Sequence, residues 1–298
     1  TDSEGGELVN NTSLVSIAAN HVLYARWESS LLNVTYEYLI NNYSCGGTTK
    51  GTPVFTYTGT CEILDDSSVL AGAWRIKFKS SGNLTFVKAA KIDVFLVGGG
   101  GGGDNGSASF GGNGGGGGYT VTAKNNIIEA NTAYSIVIGA GGAYGGGQAP
   151  SSSAFGYVAK GGYSNGTGGS GGGKGGYNSD GKAGASYGAS SSSGLSGQGK
   201  TTCEFEEGTT SGCTRGTAFA YASGGGGGGT SGGAGGLYAG SGGRQNGDTC
   251  TTGYAGTANT GSGGGGGGAG EYTNVNIYYT NNHGSPGGSG VVVIRNAR

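Results

Sequence analysis

The chain has 298 residues and a formal net charge of −1, with 76 glycines and only 11% charged residues. Such a balance excludes nucleic acid as a partner, because phosphate binding needs clustered Lys and Arg. No apolar run approaches the ~20 residues of a membrane span, so membrane insertion is not expected either. Methionine is absent and no signal-peptide pattern is present, so the chain reads as a processed product or an excised piece.

In chain order, residues 1–50 read as a small β module. Val15–Ile17, His21–Trp27 and Val34–Tyr38 show the partial alternation of short strands. From residue 51 a clearer series is predicted: Val54–Tyr57, Ala73–Phe78, Leu84–Val87, Ile92–Val97, Tyr119–Lys124, Tyr134–Ile138 and, at the chain end, Val291–Arg295. Asp65-Asp66 reads as a turn between strands. The cations Arg75, Lys77, Lys79, Lys88 and Lys91 alternate along predicted strands and read as a solvated sheet face. Val291–Ile294 is a continuous apolar run, suited to a central strand buried on both faces. The fold class these elements imply is all-β: an antiparallel β-sandwich over residues 51–298, its last strand closing a sheet opened far earlier in the chain.

The glycines concentrate in two insertions, one between Ile92–Val97 and Tyr119–Lys124 and a long one between the penultimate and final strands. From Gly98 onward the chain holds 68 of its 76 glycines, with runs at Gly98–Gly103, Gly114–Gly118, Gly224–Gly229 and Gly263–Gly268. Glycine loses more backbone entropy on ordering than any other residue and buries no side chain. Order therefore requires a repetitive backbone hydrogen-bonded arrangement. Collagen is excluded by three prolines and a broken period. A phosphate-cradling loop lacks Gly-Lys-Ser/Thr and a strand-loop-helix context. The remaining solution is a bundle of polyglycine II helices over 98–118 and 139–289. Each has three residues per turn and no internal hydrogen bonds, so neighbours satisfy one another. Ordinary Gly-rich loops and a flexible linker are the competing readings.

No catalytic constellation is found. His21 and His283 lie near opposite ends, no Gly-x-Ser-x-Gly elbow occurs, and adjacent acids such as Glu206/Glu207 do not make a glycosidase pair. No metal-ligand spacing and no cofactor motif is present. Five cysteines are an odd set: Cys45/Cys61 and Cys203/Cys213 are close enough to close short disulfide loops, Cys250 is left over, and plain buried thiols are the alternative. The stretches between glycine runs carry many aromatics. Tyr-, Ser- and Asn-bearing loops on a rigid frame resemble paratope chemistry, since tyrosine offers large amphipathic area with few torsions. Tyr187, Phe205, Phe219, Tyr221, Tyr238 and Tyr254 are the binding candidates, with tips at Thr201–Tyr221 and Gly243–Gly261; the alternative for each ring is that it covers a bundle flank.

Two resemblances add to this reading. Ala19–Trp27, which ends in Leu23-Tyr24-Ala25-Arg26-Trp27, resembles the terminal motif of the Listeria–Bacteroides β-repeat of cell-surface proteins. The ordered set Ala73–Phe78, Ile92–Gly98, Gly118–Val121, Tyr134–Gly142 and Ser289–Arg295 resembles a glycine-rich domain family of phage and prophage tail proteins and bacterial surface proteins. Its architecture is similar to the tail-fibre tip adhesins of T-even-like phages. The resemblance implies a non-enzymatic, extracellular receptor-binding tip on a virion tail or cell surface. The sandwich would anchor it to a tail-fibre or other surface-protein partner, and the loops would meet a host cell-surface protein or glycan. The alternative is a structural filament subunit that self-associates through glycine surfaces and strand exchange.

Overall fold

The computed structural model describes residues 31–68, 70–107, 109–177, 179–185, 205, 221–246, 249–269 and 282–297. The strands expected in residues 1–30 lie outside this set. The described chain is nearly all β. In order the elements are α1 (Tyr36–Leu39), β1 (Tyr43–Cys45), β2 (Thr48–Lys50), β3 (Phe55–Tyr57), β4 (Cys61–Asp65), β5 (Trp74–Phe78), β6 (Gly82–Phe86), β7 (Ala90–Val97), β8 (Thr120–Ile128), β9 (Tyr134–Ile136), β10 (Ser152–Ala154), β11 (Tyr157–Ala159), β12 (Gln245–Asn246), β13 (Thr249–Cys250) and β14 (Val291–Asn296).

Two five-stranded sheets, β2-β1-β3-β6-β9 and β4-β5-β14-β7-β8, face each other. Alternation decides which side chains enter the core. Phe55, Tyr57, Leu84, Phe86 and Ile136 from the first sheet meet Trp74, Ile76, Phe78, Ile92, Val94, Leu96, Val292 and Ile294 from the second. The pairs are antiparallel except for β1 with β3. As the apolar run suggested, β14 is central: Val292 pairs with Phe78 on one side and with Leu96 on the other, and Val291–Ile294 are buried on both faces.

Three expectations are corrected. Val34–Tyr38 is not a strand: the Thr35 hydroxyl accepts from the Tyr38 amide at 3.4 Å and caps the short helix α1, whose Leu39 enters the core. Asp65 belongs to β4 rather than to a turn alone, with the Ser67 amide donating to its side chain just beyond the strand. Arg75 and Lys77 do not form a solvated face; each is only 5% exposed. Their face of the second sheet is covered by Phe205, Tyr221 and Ala222, which pack on Phe95, Val97, Val291 and Val293.

Residues 43–50, placed by the sequence in a separate module, are hydrogen-bonded into the first sheet. Cys45 and Cys61 are joined by a disulfide that links β1 to β4, and so one sheet to the other. Closing a loop of sequence separation 16 stabilises by about 3 kcal/mol, mainly by restricting the unfolded chain. Cys45→Ala/Cys61→Ala is expected to lower unfolding free energy by that amount, read from denaturant midpoints. An unchanged midpoint would show that the crosslink restrains nothing. Cys203 and Cys213 lie outside the described residues. Cys250 is a buried free thiol that donates to the Ala269 carbonyl at 3.0 Å, and burial raises its pKa.

The glycine segments are neither helix nor strand, and their hydrogen bonds repeat every third residue. The amides of Gly100, Gly103 and Gly106 donate to Gly288, Ser285 and Asn282, while those of Gly101 and Asp104 donate to Gly116 and Asn113. In the same way Gly111, Gly114 and Gly117 address Gly176, Gly173 and Ser170, and Gly112, Gly115 and Gly118 address Gly267, Gly264 and Gly261. Each segment thus bonds to several neighbours in rotation. The segments are so close that a Cβ on most of their glycines would fall well under 3.0 Å from a neighbour's backbone.

Candidate binding surface at the far end of the glycine lattice

The registers orient the lattice. Val97 and Val291 lie in the sheet, so Gly98, Gly118, Gly261 and Gly290 form its base. Counting outward along the bonded pairs, the segments turn back at Ser107–Phe110, at Tyr177–Asp180 and around Thr230, and the β12–β13 hairpin lies at the same end. A side chain at one of these turns projects beyond the backbone lattice.

One aromatic pair sits at these turns, and a second lies lower on the lattice, where the Gly145 amide donates to Gly103. Phe110 and Tyr177 form a bridge between their backbones, their ring centroids 4.4 Å apart, and remain 55% and 59% exposed. Tyr144 lies 5.3 Å from the His283 ring, and Asn105 ties that corner down by accepting from the Gly284 amide at 3.1 Å. Nearby, the Thr230 hydroxyl donates to Asp180 at 2.9 Å; this bond, with Ser231 second, lowers the carboxyl pKa. Asp104, half-buried beneath the turn, is shifted the other way. Desolvation raises its pKa against the opposing hydrogen bonds from Asn113 and Ser164. The surface therefore offers exposed rings, amides and hydroxyls on a hydrogen-bonded backbone. Among the described residues no group of three or more His, Cys, Asp or Glu side chains could hold a metal ion. No described helix is long and apolar enough to cross a membrane.

The glycine-rich domain family matches residues 79–297, from the end of β5 through β14 and with the whole lattice between. The chain belongs to this family. None of the curated proteins compared with it matches. In this glycine-rich domain the matched region holds β6–β14 and the glycine segments between them, while β1–β5 precede it.

The residues chosen from sequence are not brought together. Phe205 and Tyr221 are fully buried at the base of the lattice, on the second face of the sandwich, and this corrects their assignment as binding residues. Phe205 stacks on Phe95 at 5.1 Å and lies under the Arg295 guanidinium at 4.2 Å, while Tyr221 carries Lys77 over its ring at 5.4 Å. Both rings are occupied as a lid over buried cations. Tyr238 and Tyr254 are exposed, at 44% and 69%, but lie along a flank, where Tyr238 accepts from the Thr257 amide and the Tyr254 amide donates to Ser241. Tyr187 and Phe219 lie outside the described residues. The far-end rings had a signal: Phe110 stands midway between two glycine runs, and Tyr177 directly follows Gly171–Gly176. In both places the chain reverses, whereas Tyr119, which directly follows Gly114–Gly118, runs on into β8.

Proposed function

We propose that this glycine-rich domain is a non-enzymatic, extracellular receptor-binding module, of the kind that tips a phage tail fibre or a bacterial surface protein. In this reading the sandwich anchors the domain, the lattice is a bundle of polyglycine II helices, and the far end meets a host cell-surface protein or glycan. The triplet hydrogen-bond repeat supports the polyglycine II assignment, since a helix with three residues per turn presents every third amide to the same neighbour.

The observation that carries the reading is the exposed Phe110–Tyr177 pair, held at the outer end of a backbone that is bonded on all sides. Rings fixed in advance lose little entropy on binding, and aromatic side chains combine large contact area with few torsions. Replacing both with Ala is expected to lower adsorption to receptor-bearing bacterial cells at least tenfold while the melting temperature stays unchanged. Undiminished adsorption by the folded double variant would sink the assignment of the binding end. A second reading, a filament subunit, is favoured by β2, a sheet edge whose residues are all exposed and which no described strand covers on its outer side. Negative-stain microscopy separates the two, because fibres without cell binding would establish assembly instead.

A further inference from the structure

At the pole of the sandwich away from the lattice, three elements converge. Strand β8 leaves the lattice at Tyr119 and ends at Ile128; β9 starts back from Tyr134. The β10–β11 hairpin leaves after Pro150, whose carbonyl takes the Gly99 amide, and returns at Lys160, whose carbonyl takes the Tyr119 amide. Its turn, Phe155-Gly156, therefore reaches the same pole. Between these elements lies a cleft of about 350 Å³, lined by Asn126, Ile127, Tyr134, Ser135, Phe155 and Gly156 among others. That volume falls within the range of small-ligand sites, which are mostly apolar and aromatic with a few placed polar groups.

Two features of this cleft are left unexplained by packing alone. Asn126 accepts from the Tyr157 hydroxyl through Oδ1 at 2.8 Å, while its Nδ2 is buried and has no hydrogen-bond partner among the described residues. The large majority of buried side-chain polar atoms in folded proteins have a hydrogen-bond partner. Phe155 takes φ +52° in a two-residue turn with Gly156 at φ +82°. The first position of such a turn favours Asn, Asp or Gly, and a bulky ring there is an outlier. The ring packs 5.4 Å from Tyr134, whose hydroxyl accepts from the Glu129 amide at 2.8 Å and so is fixed in place. An unfavourable backbone thus holds an aromatic wall beside an unused amide donor.

We propose that this cleft binds a neutral saccharide, separately from whatever the far end of the lattice binds. The walls suit the apolar face of a sugar ring, the polar side chains of the lining residues Asn126 and Ser135 suit its hydroxyls or an N-acetyl group, and the lining holds no Asp, Glu, Lys, Arg or His to attract a charged ligand. Glucose, galactose, N-acetylglucosamine and lactose, with glucuronate and glucosamine as charged controls, are the probes for saturation-transfer NMR on the intact chain. Transfer to at least one neutral sugar is expected, with no comparable signal from the charged pair. Phe155→Asn, which puts a favoured residue at the turn, and Asn126→Ala are each expected to weaken binding at least tenfold. The far-end variant Phe110→Ala/Tyr177→Ala should bind the sugar as the parent does. No transfer to any neutral sugar, or binding indifferent to both cleft substitutions, would overturn the site. Loss through Phe110→Ala/Tyr177→Ala alone would move it to the lattice end.

Discussion

Gly225→Ala is expected to cost about 4 kcal/mol or more and to leave little folded protein, because small domains have only about 5–15 kcal/mol to lose. The added Cβ would fall on the Gly264 carbonyl, well under 3.0 Å away. No side chain can yield there, since the obstacle is backbone. Gly264 itself donates to Gly101 and accepts from Gly115, and Gly225 donates to Gly115 and accepts from Gly173, so moving either segment breaks bonds to two others. Each buried donor or acceptor left without a partner costs about 1–3 kcal/mol. The contrast is Gly47→Ala in the β1–β2 turn. Gly47 has φ +82° and open space where a Cβ would sit, so only the left-handed backbone is penalised, by roughly 1–2 kcal/mol. Urea denaturation of the two variants side by side tests this. Equal midpoints would show that the lattice has slack and that glycine is there for its flexibility.

That contrast also explains what could be read from the sequence. The sandwich strands are side-chain objects. Trp74, Ile76 and Phe78 alternate, Val291–Ile294 form an unbroken apolar run, and both patterns place their strands directly. The glycine segments have no side-chain pattern. Their order was inferred from what glycine cannot do alone, and their partners emerge only from the three-dimensional register. The candidate residues suffered for the same reason. Tyr221 stands next to a glycine run and looks like a loop residue, yet the chain at that point has returned to the base and the ring lies on the sheet. Only the hydrogen-bond partners of Gly224–Gly229 reveal which end is which. The Asn125 conformation, with φ +59° at the irregular stretch of the β7–β8 pair, had no signal either, because its cause is a carboxylate far away in sequence.

That carboxylate, Asp93, is the other position where a large effect is expected. It is fully buried, takes the Asn125 amide at 3.0 Å on one oxygen, and on the other takes Arg295 at 3.1 Å from both Nε and Nη2. Arg75 and Asp66 make a second buried pair at 2.7 Å on the same sheet, and Arg75 also donates to the Phe205 carbonyl at 2.8 Å. Removing one member of a buried pair costs about 3–5 kcal/mol, chiefly because the remaining charge stays desolvated. Asp93→Ala is therefore expected to destabilise by that amount and to loosen the Phe205 cover, whose ring lies against Arg295. If desolvated charge is the cause, Asp93→Ala/Arg295→Met should be more stable than Asp93→Ala alone, since the double variant buries an apolar side chain where the cation was. A double variant as unstable as the sum of the singles would point instead to the Asn125 contact and the bulge it holds. The comparison thus decides whether the lattice base is fastened to the sandwich by its cations or by the backbone geometry that Asp93 stabilises.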